Sequence, residues 1–354
     1  MTLLGPRFDG SGAVGGARRV ETVAATSEVV RGVDRRQALS GELDELAAAC
    51  RAPMTARPAW VFATLSMEPE REPWGVLVRD ADGWLVAGAL LVDSTGPGLD
   101  LVRLAGSGSG HRGALLADSQ AAADHLGRAL AESLVTRTRN FRLSLGPVDA
   151  GASAVEALTR ALPGAVAATV DPIPVVRRGS SRVAADYLTD GLQRTLRKSA
   201  NRLAKDGHSL SIAFTRDRTR ITRVLPVLEE VHRDRDHARG RDSDLDDGGA
   251  RLLWHARMRA LADAGCLELA MAQIDGHLAA YVLAILDQPT YRVLEGHLAT
   301  RWSRYAPGRV LEAAVLQRML DDSAYETFDW MTSVASETLL ATNDRDAVVV
   351  VRTG

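Results

Sequence analysis

"LELAMAQIDGHLAAYVLAI", Leu267 to Ile285, decides the fold. Apolar residues alternate on both sides of Asp275-Gly276. Asp-Gly between alternating runs signals a hairpin, because a type I′ turn needs positive φ at both centres. The pattern also stands earlier, in "VLVRDADGWLVAGALLV", Val76 to Val92, around Asp82-Gly83. The elements after each hairpin match too. After the first come a strand, "GLDLVRLAG", a Gly-rich loop, a helix from about Asp118 to Arg137 and a strand, "FRLSLG". After the second come "TYRVLEGHL", a loop, the helix of "SRYAPGRVLEAAVLQRML" (Ser303 to Leu320) and "ETFDWMT". Helices precede both: "SGELDELAAAC" before the first, Ile221 to Arg235 and Ala250 to Ala264 before the second. An α-β-β-β-α-β unit is thus repeated. The expected class is α+β (mixed α/β): two tandem domains, each a mostly antiparallel twisted sheet flanked by helices. The expected divisions are a flexible tail (1–20), a first domain (21–180), a basic linker helix and strand (181–210) and a second domain (211–354).

The totals agree with two globular units. At 354 residues the chain exceeds what one core usually takes. Its 46% hydrophobic and 25% charged content is ordinary for a folded protein. A net charge of -2 gives no global case for nucleic acid, leaving only a local basic patch. Two distant cysteines, Cys50 and Cys266, build neither a disulfide framework nor a zinc spacing. No apolar run reaches membrane-spanning length, and the opening residues lack a signal-peptide core. A cytoplasmic protein with no membrane partner is expected.

Several motifs yield to simpler readings. "GSGHRG", Gly108 to Gly113, matches GxGxxG, but an antiparallel hairpin precedes it and the next strand has no terminal acid, so dinucleotide binding is rejected. The histidines of "HRDRDH", His232 to His237, share a helix face poorly and lack a third ligand, so no metal is expected. No G-x-S-x-G elbow occurs. "RDRDHARGRDSDLDDGG", Arg233 to Gly249, reads as an exposed charged loop.

Three features carry chemistry. In "TYRVLEGHL" strict alternation puts Tyr291, Val293, Glu295 and His297 on one face, with Arg292, Leu294 and Leu298 on the other. Glu295 and His297 read either as an edge salt bridge or as a general base beside a cleft. The helix after Tyr305 has no side-chain cap and carries Arg309 in its first turn. It reads either as an ordinary turn or as an anion site, with Pro307 stiffening the approach and Gly308 admitting a phosphate. In "LQRTLRKSANRLAKDG", Leu192, Leu196 and Leu203 form a helical stripe ringed by Arg194, Arg197, Lys198, Arg202 and Lys205, and Gly207 suits C′. That basic face is either solvated or turned to phosphates.

In order and spacing, "LQRTLRKSANRLAKDG", "LEEVHRDRDHARG", the Asp-Gly hairpin, "YAPGRVLEAAVLQRML" and "FDWMTS" resemble the GNAT acyltransferase fold present twice, as in FemAB-like and BioF2-like transferases. The resemblance spans roughly residues 30–332. It implies acyl transfer to an amine by direct attack, with no metal. The donor it implies is acyl-CoA, or aminoacyl-tRNA as in the Fem branch. The strand of residues 291–297 would splay from that of 327–332, holding the thioester or ester in the gap against a backbone N–H. Glu295, His297 and Asp329 would be catalytic. Tyr305, Pro307, Gly308, Arg309 and Val310 would bind the donor, its phosphates on the last three amides. Arg197, Lys198, Arg202, His232 and Arg235 would bind substrate or tRNA. The second repeat would hold the donor and the first would shape the acceptor cleft. Two departures stand out. Only Gly308 remains of the usual phosphate-loop glycines, and "SVASETLLATN" replaces a Gly-rich turn with a Tyr-Lys pair. The long helical arm of cell-wall Fem enzymes is missing. The expected function is N-acylation of a small amine-bearing metabolite from acyl-CoA. The alternatives are an aminoacyl-tRNA-dependent transferase in natural-product or cell-wall precursor biosynthesis, and a catalytically silent binding module.

Overall fold

The computed structural model describes residues 25–32, 38–67, 71–96, 98–107, 111–331 and 341–353. The expected tail, most of the glycines of "GSGHRG" and most of "SVASETLLATN" lie outside these residues.

The first half begins with β1 (Thr26–Arg31) and two helices, α1 (Ser40–Ala49) and α2 (Pro58–Ser66). The hairpin strands β2 (Glu72–Arg79) and β3 (Leu85–Gly96) come next, then β4 (Leu99–Leu104), a two-residue β5 (Leu116–Ala117), α3 (Gln120–Val135), β6 (Phe141–Asp149), α4 (Ser153–Ala161), β7 (Ala165–Thr169) and β8 (Ile173–Arg177). Ser119 caps α3 by accepting the Ala122 N–H, which fixes its start two residues later than expected. The second half runs through α5 (Asp190–Lys205), β9 (Leu210–Thr215), α6 (Arg218–His237), α7 (Gly248–Asp263), β10 (Leu267–Ile274), β11 (His277–Asp287), β12 (Thr290–Leu298), α8 (Pro307–Asp321), β13 (Thr327–Asp329), β14 (Asp344–Asp346) and β15 (Val348–Thr353). Each half therefore repeats β-α-α-β-β-β-α-β, with a leading strand, β1 or β9, beyond the expected unit.

The two hairpins differ. Ile274 pairs with His277, and Asp275 and Gly276 take φ of 50° and 78°, the two-residue turn that the sequence implied. Asp82-Gly83 instead lies within a longer loop. There Arg79 pairs with Leu85, and the Asp80 carboxylate accepts the N–H groups of Asp82 and Trp84.

The sheets are equivalent strand for strand. One runs β1-β2-β3-β4-β6-β15-β7, with β5 paired to β3; the other runs β9-β10-β11-β12-β13-β8-β14. Neighbours are antiparallel except β4·β6 and β12·β13. The penultimate strand of each sheet comes from the other half of the chain: β15 inserts between β6 and β7, and β8 between β13 and β14. Segments 21–180 and 211–354 thus each lend one strand to the other's sheet.

Side chains join the halves as well. Met54 and Trp60 share a core with Leu228, Trp254 and Met258, and the Arg257 guanidinium lies 4.5 Å over the Trp60 ring. Buried charges close the seam. Arg292 binds Asp287 (3.0 Å) and Asp329, while Arg112 from the first half reaches Asp149, Asp346 and Asp329. Breaking one such buried pair costs about 3–5 kcal/mol, since it strands the partner charge.

Candidate functional site

The site grows from a fault in β12. Pairing with β11 slips after Glu295: Leu283 faces Glu295, but Ala284 faces Val293. Leu294 is the extra residue of a β-bulge, and a bulge reverses which face the following residues take. Tyr291 and Val293 pack towards α8 with Phe328 and Leu311. Glu295 turns to the opposite face, where the α6 and α7 side chains His232 and Trp254 meet it, and His297 stacks on His232 there. The expectation that Tyr291, Val293, Glu295 and His297 share a face is therefore corrected, because alternation holds only in an unbulged strand.

On that face both Glu295 oxygens are held. Trp254 Nε1 donates to Oε2 at 2.9 Å, and the Tyr281 hydroxyl donates to Oε1 at 2.8 Å. Burial, then the Glu295 charge, raises the Tyr281 pKa well above the usual phenol range, so this hydroxyl stays a donor. The His297 and His232 rings stack 3.8 Å apart, 21° from parallel. Burial pushes the His297 imidazole down to about 4, so it is neutral near pH 7. Nitrogens of His232 and His297 and an oxygen of Glu295 lie within 4.8 Å of one another, a metal-compatible spacing. Nearly parallel rings aim their lone pairs along parallel lines, whereas ligands of one ion must converge on a point. His237 turns away to Asp246 (2.7 Å).

The residues expected to bind a donor lie beyond the bulge. Strands β12 and β13 pair only over Thr290–Arg292 and Thr327–Asp329, so among the described residues β12 runs on through Glu295 and His297 with no partner on that edge. A short 3-10 turn (Thr300–Tyr305) leads to Ala306, which holds φ 48°, and α8 then starts at Pro307 without a side-chain cap. Val310 N–H bonds back to Ala306 O (3.3 Å), whereas Gly308 and Arg309 have no carbonyl four residues back inside the helix. Among the described residues, two of the three amides, those of Gly308 and Arg309, have no backbone acceptor. Gly308 leaves room for an anion: a Cβ there would meet only Leu298, at 3.4 Å. The Arg309 guanidinium pairs with Glu312 at 2.9 Å, and burial raises the Glu312 pKa. Tyr305 is buried, its hydroxyl on Asp206 and its carbonyl accepting from Ser199, so it braces the turn.

The basic face stands beside this start. Ser199 and Arg202 of α5 bond the carbonyls of Tyr305 and Arg304, which locks α5 against the turn with Arg197, Lys198 and Arg202 exposed. Arg235 is elsewhere, on α6. Burial, then Arg239 and Arg241, lowers its pKa. Asp329 sits in the ion seam, its oxygens taken by Arg292 and the Met331 N–H. Sequence reading missed Trp254, Tyr281 and Asp236. Tyr281 alone left a signal, as the one polar-tipped side chain inside "LAAYVLAI".

Residues 191–337 match the family model described as an acetyltransferase (GNAT) domain. Among solved structures, FemX is similar at 10% identity, over 87% of this chain and 89% of that one, with a TM-score of 0.62. A conserved protein of unknown function from Bacteroides thetaiotaomicron VPI-5482 is similar at 12% identity, covering 89% and 97%, with a TM-score of 0.55. A C-terminal DUF2156 domain from Agrobacterium fabrum is similar at 11%, covering 89% and 93%, with a TM-score of 0.51. At these identities the likeness shows the fold. No curated protein matches at a significant level.

Proposed function

We propose that this chain, whose residues 191–337 match a GNAT acetyltransferase domain, transfers an acyl group from acyl-CoA to the amine of a small metabolite. One observation carries this reading: β12 parts from β13 beside the uncapped start of α8, and the parted stretch bears Glu295 and His297. The gap would take the thioester, which brings its carbonyl to an unpaired strand edge able to donate an N–H to the developing oxyanion. The free amides of Gly308 and Arg309 would take the donor's phosphates. Positioning supplies much of the rate, since attack is direct. The chain's own residues fit this donor in chemistry: two open N–H groups, a glycine that admits close approach, and no acidic side chain capping the helix.

The exposed Arg197, Lys198 and Arg202 favour a second reading, transfer from an aminoacyl-tRNA, because they stand beside the same helix start. A tRNA acceptor stem needs phosphate contacts of this kind. Calorimetry with acetyl-CoA and then with charged tRNA separates the two. Saturable acetyl-CoA binding with no response to tRNA is the expected result. RNase-sensitive acylation of an added amine would overturn it.

A further inference from the structure

Among the described residues, His232 Nδ1 is buried without a hydrogen-bond partner, although polar atoms so placed are nearly always paired. It faces Glu295 Oε1 across 3.9 Å. The other nitrogen, Nε2, lies 3.4 Å from Asp236 Oδ2, one turn further along α6. Asp236 is itself fixed, with Arg241 donating to Oδ1 at 2.8 Å and the Arg241 N–H reaching its backbone carbonyl. A carboxylate at Nε2 holds the ring proton there, which leaves Nδ1 a bare lone pair. Glu295 also offers only lone pairs on this side, since Trp254 and Tyr281 donate to it. Two acceptors therefore face each other across 3.9 Å with no donor to His232 Nδ1 among the described residues. An amine nitrogen about 2.9 Å from each would satisfy both.

We infer that the acceptor amine sits between Glu295 and His232 Nδ1, and that His232, oriented by Asp236, is the base that deprotonates it. This rests on the acyl-transfer reading above. The amine nitrogen bonds to the thioester carbonyl carbon and the C–S bond breaks. The nitrogen's proton passes to His232 Nδ1, and the balancing proton on the thiolate comes from His232 or solvent. Glu295 keeps its charge throughout and steers the amine. The neutral His297 ring, stacked on His232, fixes the plane of its imidazole. The charged and titratable groups against His232 are Glu295 and His297 from β12 and Asp236 from its own helix; Tyr281 of β11 reaches the cluster through Glu295, and Arg239 acts on His297. The α7 helix contributes the uncharged Trp254.

The test uses the full chain with acetyl-CoA and a panel of primary amines. His232→Gln should lower kcat/KM about 10²–10⁴-fold, the usual worth of a general base, and should leave acetyl-CoA affinity within about twofold. It should also remove the imidazole limb from the pH profile, and added imidazole should restore part of the rate. Asp236→Asn should lower kcat/KM and leave acetyl-CoA affinity unchanged, because the ring loses the carboxylate that holds its proton on Nε2. Independently of activity, nitrogen-15 chemical shifts should show the His232 proton on Nε2. An Nδ1-protonated tautomer, or an unchanged rate in a folded His232→Gln, overturns the assignment alone. Absence of any transfer or acetyl-CoA binding by the unaltered protein overturns the acyl-transfer reading, and the base assignment with it.

Discussion

His297 shows how one side chain ties the site to stability. Its imidazole titrates near pH 4 in the fold, against about 6.5 in an unfolded chain. Between those values the unfolded state binds more protons, so stability rises with pH across this window and is lost as pH falls through it. The full effect is about 3 kcal/mol on that shift. Thermal melts of the protein should drop between pH 7 and 4.5, and His297→Asn should flatten the drop. An equal drop in the variant would show that other groups carry the acid sensitivity. Glu295 and His297 were legible in the sequence as ionisable groups in a strand. Their face was not, because an inserted residue such as Leu294 leaves no mark in a pattern of apolar residues. Trp254 was hidden for another reason: its partner lies 41 residues away, and only folding shows what it touches.

At the scale of elements, α8 and its approach matter most. Ala306 occupies the left-handed region, which costs an L-residue roughly 1–2 kcal/mol. Ala306→Gly should therefore raise stability by about 1 kcal/mol in urea melts, and a loss would show that the Ala306 methyl packs usefully. The basic helix α5 invites a sharper comparison. Replacing Arg197, Lys198 and Arg202 together by glutamate removes three exposed positive charges beside the start of α8. Acetyl-CoA affinity should fall less than tenfold, whereas binding of any tRNA should fall steeply and lose about three units of salt slope. A salt-independent loss of acetyl-CoA binding would indicate damage to the α5–turn bonds rather than lost charge. Elements of this kind were well marked, since hairpins and amphipathic helices write their periods into the chain. The ends moved by a few residues wherever a side-chain cap, such as Ser119 on α3, set the start.

For the molecule as a whole, the duplication was readable because element order repeats. The exchange of strands was not. A short apolar strand such as "VVVVRT" names no partner, and either sheet would accept it. In the fold, Val348, Val349, Val350 and Val351 are all buried in the first sheet. Each contributes roughly 1.5 kcal/mol or more, a large share of the 5–15 kcal/mol that holds a typical domain. A chain ending at Ala347, which keeps β14 and removes only β15, should therefore lose hydrogen-exchange protection first in β6 and β7, far upstream of the cut. Loss confined to β13 and β8 would contradict the pairing.

The exchanged strands also set an order of events during synthesis. β8 leaves the ribosome before almost any of the sheet it will join, and β15 emerges after the sheet it completes has long been waiting. The first half must remain open along the β6–β7 seam while about 180 further residues are made, roughly 10–40 seconds at ordinary elongation rates. Neither half can be finished without the other, so a ribosome that stalls late strands an incomplete first half, with an unfilled strand position for chaperones and proteases to find.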